Sequence, residues 1–252
     1  MIAAAFFFEA HAETMSPSPH RVAAQIERAL ASYANPARAA VMSGGYAPSR
    51  LRYFGASNPE MRSVMRQFSR ELRGAAPALI RDVALALVRR GTAEGRQIGY
   101  ELFARRRDAM ALLIPALVRR FGRGNDNWAS VDGFALFIAG PAWRLGRVSD
   151  AEVVGWARSR DPWWRRTALA SAVTLNLQSR GGTGDSRRTL LICRLFTRET
   201  SPMLAKALSW ALRSLVPLDK TAVRQFITAH AATLPAIVKR EVGSKIRTGK
   251  KN

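Results

Sequence analysis

Hydrophobic residues recur at three- and four-residue steps along almost the whole chain. The pattern begins with Val22, Ile26, Leu30 and Tyr33 and continues, with other residues, in one segment after another. Steps of this size place the apolar side chains on one face of an α-helix. The alternation with a period of two that is typical of half-buried strands is nearly absent. The pattern therefore predicts an all-α protein.

Short connectors that contain glycine, proline or aspartate separate the predicted helices. After a first helix from Arg21, the predicted helical segments are 59–73, 77–90, 93–106, 108–121, 128–138, 150–159, 162–177, 187–197, 202–215, 220–231 and 234–247. Helices of similar length joined by tight connectors are typical of stacked helix pairs, and such solenoids offer a concave surface to an elongated ligand. The sequence thus predicts one superhelical solenoid of antiparallel helix pairs over residues 21–247.

The two ends of the chain have a different pattern. Residues 1–20 include a short apolar run that imitates a secretory signal but lacks the positively charged region that precedes such a run. We interpret this stretch as a disordered tail or as a misassigned start, with translation beginning at Met15. The prolines at Pro17 and Pro19 mark the point where helical structure can begin. Residues 248–252 are expected to form a basic C-terminal tail.

The chain is strongly basic. Its 40 lysines and arginines exceed the 18 acidic residues, which gives a formal net charge of +22. A surplus of this size in a folded protein usually faces a polyanion, and nucleic acid is the leading candidate. The alternatives are an arginine-rich composition inherited from a GC-rich genome and an anionic membrane surface. No stretch approaches the roughly 18 consecutive apolar residues that a membrane-spanning helix needs.

Cysteine and histidine are too scarce for several kinds of chemistry. The single cysteine, Cys193, lies in an apolar run and is interpreted as a small core residue. Only His11, His20 and His230 accompany it, so no ordinary zinc site is expected. An intrachain disulfide is impossible, which fits a reducing, cytoplasmic compartment. The sequence predicts neither a metal nor an organic cofactor.

Tryptophans beside charged residues are the candidates for chemistry, because the sequence has no phosphate-binding glycine loop and no Ser-His-Asp arrangement. Trp128 and Asp132 stand four residues apart at a predicted helix start and therefore share one helical face. A carboxylate beside an indole can stabilise a developing cation. The alternative is structural, with Trp128 in the core and Asp132 in an internal ion pair.

Two further segments combine tryptophan with cations. One is the helix start at 161–166, where the guanidinium groups of Arg165 and Arg166 could bind phosphate; alternatively, Trp163 is buried and Arg165 is simply exposed. The other is the face at 206–213, where Lys206, Trp210 and Arg213 follow at helical spacing. A stripe of cation, tryptophan and cation is unusual for a core-facing helix and favours a surface that meets a nucleic acid backbone.

Several predicted helices also end in adjacent arginines. These side chains could offset the helix dipole while remaining solvated, or they could contact a phosphate backbone. The arginine groups stand at positions 89–90, 105–107 and 119–120.

These residues resemble the AlkD family of DNA alkylation repair glycosylases, which are built from HEAT-like helical repeats. The resemblance covers nearly everything after the N-terminal tail, and its early part rests on the segments 35–39, 53–62 and 94–103. In the centre it rests on three motifs in the family's order. They are Trp-x-x-x-Asp at Trp128 and Asp132, Trp-x-x-Arg at Trp163 and Arg166, and Lys-Ala-x-x-Trp-x-Leu-Arg at 206–213.

The resemblance implies a solenoid of HEAT-like pairs with a concave basic face and a monofunctional DNA glycosylase that removes N3- or N7-alkylated purines from duplex DNA. Asp132 would be the catalytic carboxylate, Trp128 the aromatic that faces the sugar, and Trp210 the second aromatic of the cleft. A monomer without a cofactor is implied, in the cytoplasm and on the nucleoid when bound to DNA.

For DNA binding, the resemblance points to Arg166, more than Arg165, as the guanidinium that contacts phosphate, with Lys206 and Arg213 nearby. The chain departs from the family where Ser214 replaces an acidic residue, so a local ion pair is expected to be missing. The glycine-rich connector at 179–185 is also longer than the resemblance leads us to expect.

Two other classes of function remain open from the sequence. The first is a HEAT-like module that binds nucleic acid without cutting it, although a pure binder gains nothing from a carboxylate near phosphates. The second is a solenoid that binds an acidic protein partner. Salt-dependent binding to duplex DNA separates this last class from the others.

Overall fold

The computed structural model describes residues 18–250, and within that range every regular element is helical. The one strand-like contact there is an isolated parallel bridge between Arg52 and Thr92. The predicted all-α class is therefore confirmed. No helix among these residues is long and apolar enough to cross a membrane.

The helices are numbered in chain order. They are α1 (Pro19–Ala31), α2 (Pro36–Val41), α3 (Asn58–Glu71), α4 (Pro77–Arg90), α5 (Ala93–Ala104), α6 (Arg107–Met110), α7 (Pro115–Gly122), α8 (Trp128–Phe134), α9 (Gly140–Arg144), α10 (Asp150–Ala157), α11 (Pro162–Thr174), α12 (Ser186–Arg194), α13 (Pro202–Leu215), α14 (Lys220–Ala229) and α15 (Ala236–Thr248). Shorter elements join some of them: π-helical turns at Met42–Tyr46 and Ala135–Ala139, and a 3-10 turn at Gln178–Arg180.

Local sequence explains where the helices of the site begin. Asn127 caps α8 by accepting a hydrogen bond from the backbone N–H of Ser130 at 2.9 Å. Asp161 caps α11 in the same way through the N–H of Trp163, also at 2.9 Å, and Pro162 occupies the first helical position. Capping oxygens and an early proline satisfy or remove amide groups that the helix itself leaves unpaired.

Packing follows the order of the chain. Helix α4 packs on α5 and α1, α11 packs on α10 and α13, and α13 packs on α15. One hydrophobic cluster extends from Val22 to Val242, with Trp143 among its fully buried side chains. Contacts between successive helices are typical of a solenoid, in which each layer stacks on the one before.

Two predicted helices differ from those observed. Segment 108–121 was predicted as one helix, but the chain forms α6 and then α7, because Pro115 lacks an amide hydrogen and cannot sit inside a continuous helix. Segment 128–138 instead extends to Arg144, despite Pro141. The π-helical turn Ala135–Ala139 widens the backbone just before this proline, where its ring would otherwise clash.

Helix α2 and the following π-helical turn lie in a segment where no helix was predicted. Helix α2 has no buried residue. Its sequence therefore carries no hydrophobic period from which a helix could be predicted. Helix α1 begins at Pro19, inside the stretch that was assigned to the N-terminal tail. The interpretation of residues 1–17 as a tail or a misassigned start lies outside the described residues.

Candidate functional site

Asp132 and Arg166 form a two-point ion pair between α8 and α11. The Nε and Nη2 groups of Arg166 donate to the two carboxylate oxygens of Asp132 at 2.8 and 2.7 Å. The remaining Nη1 group of Arg166 donates to the backbone carbonyl of Met203, in the first turn of α13, at 2.7 Å. One guanidinium thus joins three helices and fixes the orientation of the carboxylate.

This ion pair is shielded from water. The side chains of Arg166 and Asp132 are 8% and 15% exposed. Burial raises the pKa of the Asp132 carboxyl, and the Arg166 guanidinium acts in the opposite direction. Because arginine remains protonated in proteins and pairs here through both oxygens, the carboxylate is held as an anion at neutral pH. Its negative charge is therefore fixed in a medium of low polarity.

Trp128 lies at the first position of α8, one turn before Asp132, and is only half-buried. Its indole Nε1 donates to the backbone carbonyl of Tyr46 at 2.8 Å. The rings of Tyr46 and Trp128 meet edge to face, with centroids 4.9 Å apart and an angle of 74°. The structural alternative for this motif is thus half correct: Asp132 is in an internal ion pair, but Trp128 is not in the core.

The segment that covers Trp128 is itself fixed to the start of α8. Asp126 accepts hydrogen bonds from the hydroxyl of Ser49 and from the backbone N–H of Arg50, the latter at 2.8 Å. Tyr46 keeps 58% of its surface exposed despite its contact with Trp128. Sequence reasoning missed Tyr46, because an aromatic residue after two glycines in a segment without hydrophobic period carries no visible signal.

Trp210 is half-buried on α13 and packs against the core. Met203, whose carbonyl binds Arg166, lies seven residues earlier and so on the same helical face. Helical side chains lean toward the N-terminus of their helix, which directs the indole of Trp210 toward the turn that carries Met203. Helices α8 and α13, which carry the two tryptophans, both pack on α11, the helix that carries Arg166.

The sequence predicted an exposed cation on each side of Trp210, and this prediction is wrong for one of the two. Lys206 is exposed, but the side chain of Arg213 is only 16% exposed. Arg213 donates to Ser209 Oγ at 3.1 Å and lies 3.5 Å from a carboxylate oxygen of Glu241 on α15. Ser214 stands where a local acidic partner was expected to be missing and donates to the backbone carbonyl of Ala211, while Glu241 supplies a partner for Arg213 from a distant part of the chain.

The preference for Arg166 over Arg165 as the phosphate-binding residue does not match their placement. Successive helical residues are rotated by about 100°, so the two side chains leave the helix in different directions. Arg166 turns inward to Asp132. Arg165 keeps 31% of its side chain exposed, pairs with Glu199 and lies over the ring of Phe196. Of the two, Arg165 is the one that solvent and a DNA backbone can reach.

Arginines at the helix ends divide into two groups. Some have structural partners: Arg90 pairs with Glu27, Arg106 with Asp108 and with backbone carbonyls, and Arg119 with Glu152. Others are exposed to solvent, even where a long ion pair is present, as between Arg105 and Glu101 at 3.9 Å. These are Arg89, Arg105, Arg107 and Arg120. The paired arginines thus have a structural role that neither interpretation anticipated, and the choice between dipole compensation and phosphate contact stays open for the exposed ones.

An open cleft of about 690 Å³ lies beside this site. Tyr46 lines it on one side, and Asn127 and Ser130 from the first turn of α8 line it on another. Among residues 18–250, no cluster of histidine, cysteine, aspartate or glutamate could hold a metal ion. Cys193 is buried, as predicted for a core residue, and burial raises the pKa of its thiol.

Taken together, stacked helices, an excess of cations and a carboxylate fixed beside a partly exposed tryptophan define a helical protein of the nucleic-acid-binding class. The family model for DNA alkylation repair enzymes matches residues 26–246, and the chain belongs to that family. Among curated proteins, none matches the chain. Membership gives the protein a role in DNA repair, with DNA as its partner.

Proposed function

We propose that this protein is an AlkD-like DNA glycosylase that hydrolyses the N-glycosidic bond of N3- or N7-alkylated purines in duplex DNA. The observation that carries the proposal is the Asp132 carboxylate, which Arg166 holds through both oxygens one helical turn from Trp128. A carboxylate that is buried, ionised and fixed in direction is suited to stabilise a cation that develops next to it.

An alkylated purine already carries a positive charge on its ring and is a good leaving group, so its departure needs little acid catalysis. The positive charge moves to the deoxyribose as the bond breaks, and the sugar becomes similar to an oxocarbenium ion. Asp132 would stabilise that cation and orient the attacking water. Because the carboxylate is preorganised by Arg166, it need not reorganise during the reaction.

The aromatic residues would contact the same sugar. Trp128 is partly exposed at the start of α8, and Trp210 is partly exposed on α13. The electron-rich face of an indole attracts a cation, so these contacts would strengthen as the sugar becomes positive. Lys206, Arg165 and the solvent-exposed arginines at helix ends would bind the phosphates on either side, and helix pairs of HEAT-like type would supply the surface.

A non-catalytic DNA-binding protein of the same fold is the second candidate. One observation favours it: both oxygens of Asp132 already accept hydrogen bonds from Arg166, as they would in a purely structural ion pair. In that case the protein would bind DNA and release no base.

Release of free methylated purine from alkylated duplex DNA by the purified chain separates the two candidates. The glycosylase predicts release in single turnover that depends on Asp132. Binding to the same duplex without release would favour the non-catalytic protein. Neither binding nor release would contradict both candidates.

The rate of base release should rise with pH along an acid limb. Asp132 must be ionised to stabilise a cation, and burial raises the pKa of its carboxyl, so the limb should lie above the pKa of an exposed aspartate, about 4. Below the midpoint the carboxyl is protonated and activity is lost. Arg166→Gln should move the limb to higher pH, because the guanidinium that opposes the effect of burial is gone. A limb at the same pH in both proteins would mean that another group titrates.

Trp210→Ala should lower base release while reducing stability less than truncation of a core tryptophan does. Loss of a fully buried tryptophan costs about 3 to 5 kcal/mol; Trp210 keeps part of its surface in solvent and should cost less. Trp143→Ala is the matched control, since Trp143 is fully buried. The thermal midpoint and single-turnover release are measured for both variants. Full activity in a strongly destabilised Trp210→Ala variant would remove this residue from the site.

A further inference from the structure

Arg180 ends the 3-10 turn in the glycine-rich connector that follows α11. Its guanidinium carbon lies 3.9 Å from the centroid of the Phe137 ring, in the π-helical turn after α8. This distance is typical of a cation stacked on an aromatic face, which fixes the plane of the guanidinium. The proposed reaction makes no use of this side chain.

No hydrogen bond or ion pair holds the Arg180 guanidinium within the part of the chain that the structure describes. The carboxylate that acts on it electrostatically is Glu101. That carboxylate is already engaged: Gln97 donates to it at 2.9 Å, and Arg105 lies 3.9 Å from it. One carboxylate therefore serves two guanidinium groups, and the cluster keeps a net positive charge.

Electrostatics around Arg180 favour the arrival of an anion. Burial lowers the pKa of its guanidinium, and the positive charge of Arg105 acts in the same direction. Both effects reflect a cation that has lost water and gained a like-charged neighbour. An anion bound between Arg180 and Arg105 would compensate for both. The side chain of Arg105 is 61% exposed and free to turn toward such a ligand.

The connector that carries Arg180 has a defined shape. Gly181 and Gly184 adopt φ angles of +76° and +94°, which side chains with a Cβ rarely tolerate. A Cβ on Gly182 would lie 2.5 Å from the backbone carbonyl of Thr174. These glycines thus fix the path by which the chain leaves Arg180, close to the end of α11.

Both arginines line the cleft of about 690 Å³ that also contacts the first turn of α8. A ligand bound at this end of the cleft can continue toward Asn127, which directly precedes Trp128, and Ser130, which lies two residues before Asp132. An elongated anion can therefore contact the two arginines and the proposed catalytic helix together.

We propose that Arg180 and Arg105 bind one phosphodiester group of the DNA strand close to the damaged nucleotide. The proposal rests on the proposed function, because it takes the cleft to lie on the DNA path. Guanidinium groups bind phosphate through paired hydrogen bonds, and a stacked guanidinium has its donors already arranged. A phosphodiester is favoured over a protein carboxylate because DNA is the partner of this family.

Arg180→Gln tests the phosphate contact on an unmodified duplex, so that base release plays no part. Loss of one phosphate contact makes the plot of log affinity against log salt less steep by about 0.9. The ratio of wild-type affinity to variant affinity should therefore fall about 3-fold between 50 and 200 mM salt. Arg224→Gln is the matched control: Arg224 is exposed in the middle of α14, which packs on α13 and α15, and the same charge is removed. This control should leave the slope unchanged.

A scan with single uncharged methylphosphonate linkages then locates the contact. At one position, replacing the phosphate should weaken binding of the wild type by several-fold and leave binding of Arg180→Gln unchanged. The neutral linkage and the substitution each remove the same interaction, so the second change has nothing further to remove. An unchanged slope in Arg180→Gln, or equal sensitivity of both proteins at every linkage, would overturn the proposal. If Arg180→Gln lowers the thermal midpoint, Arg105→Gln replaces it in the scan: the Arg105 side chain is 61% exposed, and its loss should lower the slope and remove the sensitivity at the same linkage. If the protein releases no base, the proposed glycosylase activity fails, but the phosphate contact is still tested by binding to the unmodified duplex.

Discussion

Asp132→Asn should abolish base release while DNA affinity stays the same or rises slightly. The substitution removes the negative charge that would stabilise the cationic sugar, and deletion of a comparable charge partner in a transition state lowers the rate by about 10²- to 10³-fold. Removal of a carboxylate close to phosphates cannot weaken electrostatic binding. Single-turnover release from alkylated duplex and affinity for an unmodified duplex are the two measurements.

Stability is the competing explanation for any loss, because Asp132 is also the partner of the buried Arg166. Asp150→Asn is a suitable control. Asp150 accepts hydrogen bonds from Trp143 Nε1 and from Arg187, each at 2.8 Å, and its loss removes an ion pair elsewhere in the chain. Asp150→Asn should lower the thermal midpoint and retain base release. Unchanged turnover in Asp132→Asn would withdraw the catalytic role of this residue.

The hydrophobic period was enough to predict the fold class and most of the helices, because each helix buries one apolar face. Helix α2 escaped prediction since it buries none of its residues. The break at Pro115 and the continuation through Pro141 show that a proline alone does not decide the outcome. A π-helical turn accommodates Pro141, whereas none precedes Pro115. The local sequence gives no signal from which such a turn could be predicted.

The candidate site could be predicted in its residue types and only partly in its contacts. The spacing of Trp128 and Asp132 was enough to predict that they share a helix face, because this depends only on the local sequence. The partner of Asp132 is 34 positions away in sequence, and that of Arg213 is 28 positions away, so no local pattern could reveal them. The prediction that Arg213 is exposed rested on its spacing from Lys206 and Trp210, which carries no information about Glu241.

Arg166→Ala should destabilise the protein by about 3 to 5 kcal/mol, because it leaves the buried carboxylate of Asp132 without its partner. The backbone carbonyl of Met203 also loses a donor. DNA binding should keep its salt dependence, since the guanidinium is 8% exposed and already donates from all three of its nitrogens within the protein, which leaves a phosphate almost no surface to approach. Denaturant unfolding and the salt slope of duplex binding test these two expectations.

A double-mutant cycle tells whether the lost stability belongs to the ion pair. Arg166→Ala and Asp132→Ala should each be strongly destabilising, and the double variant should be less so than their sum, because neither leaves a buried charge when both are gone. Additive effects would show that the two side chains contribute independently. A salt slope reduced by about one in Arg166→Ala, with stability unchanged, would instead return Arg166 to the DNA-facing surface. The geometry favours the first outcome, since the Arg166 guanidinium is 8% exposed and turned inward to Asp132, away from the solvent that a phosphate would occupy.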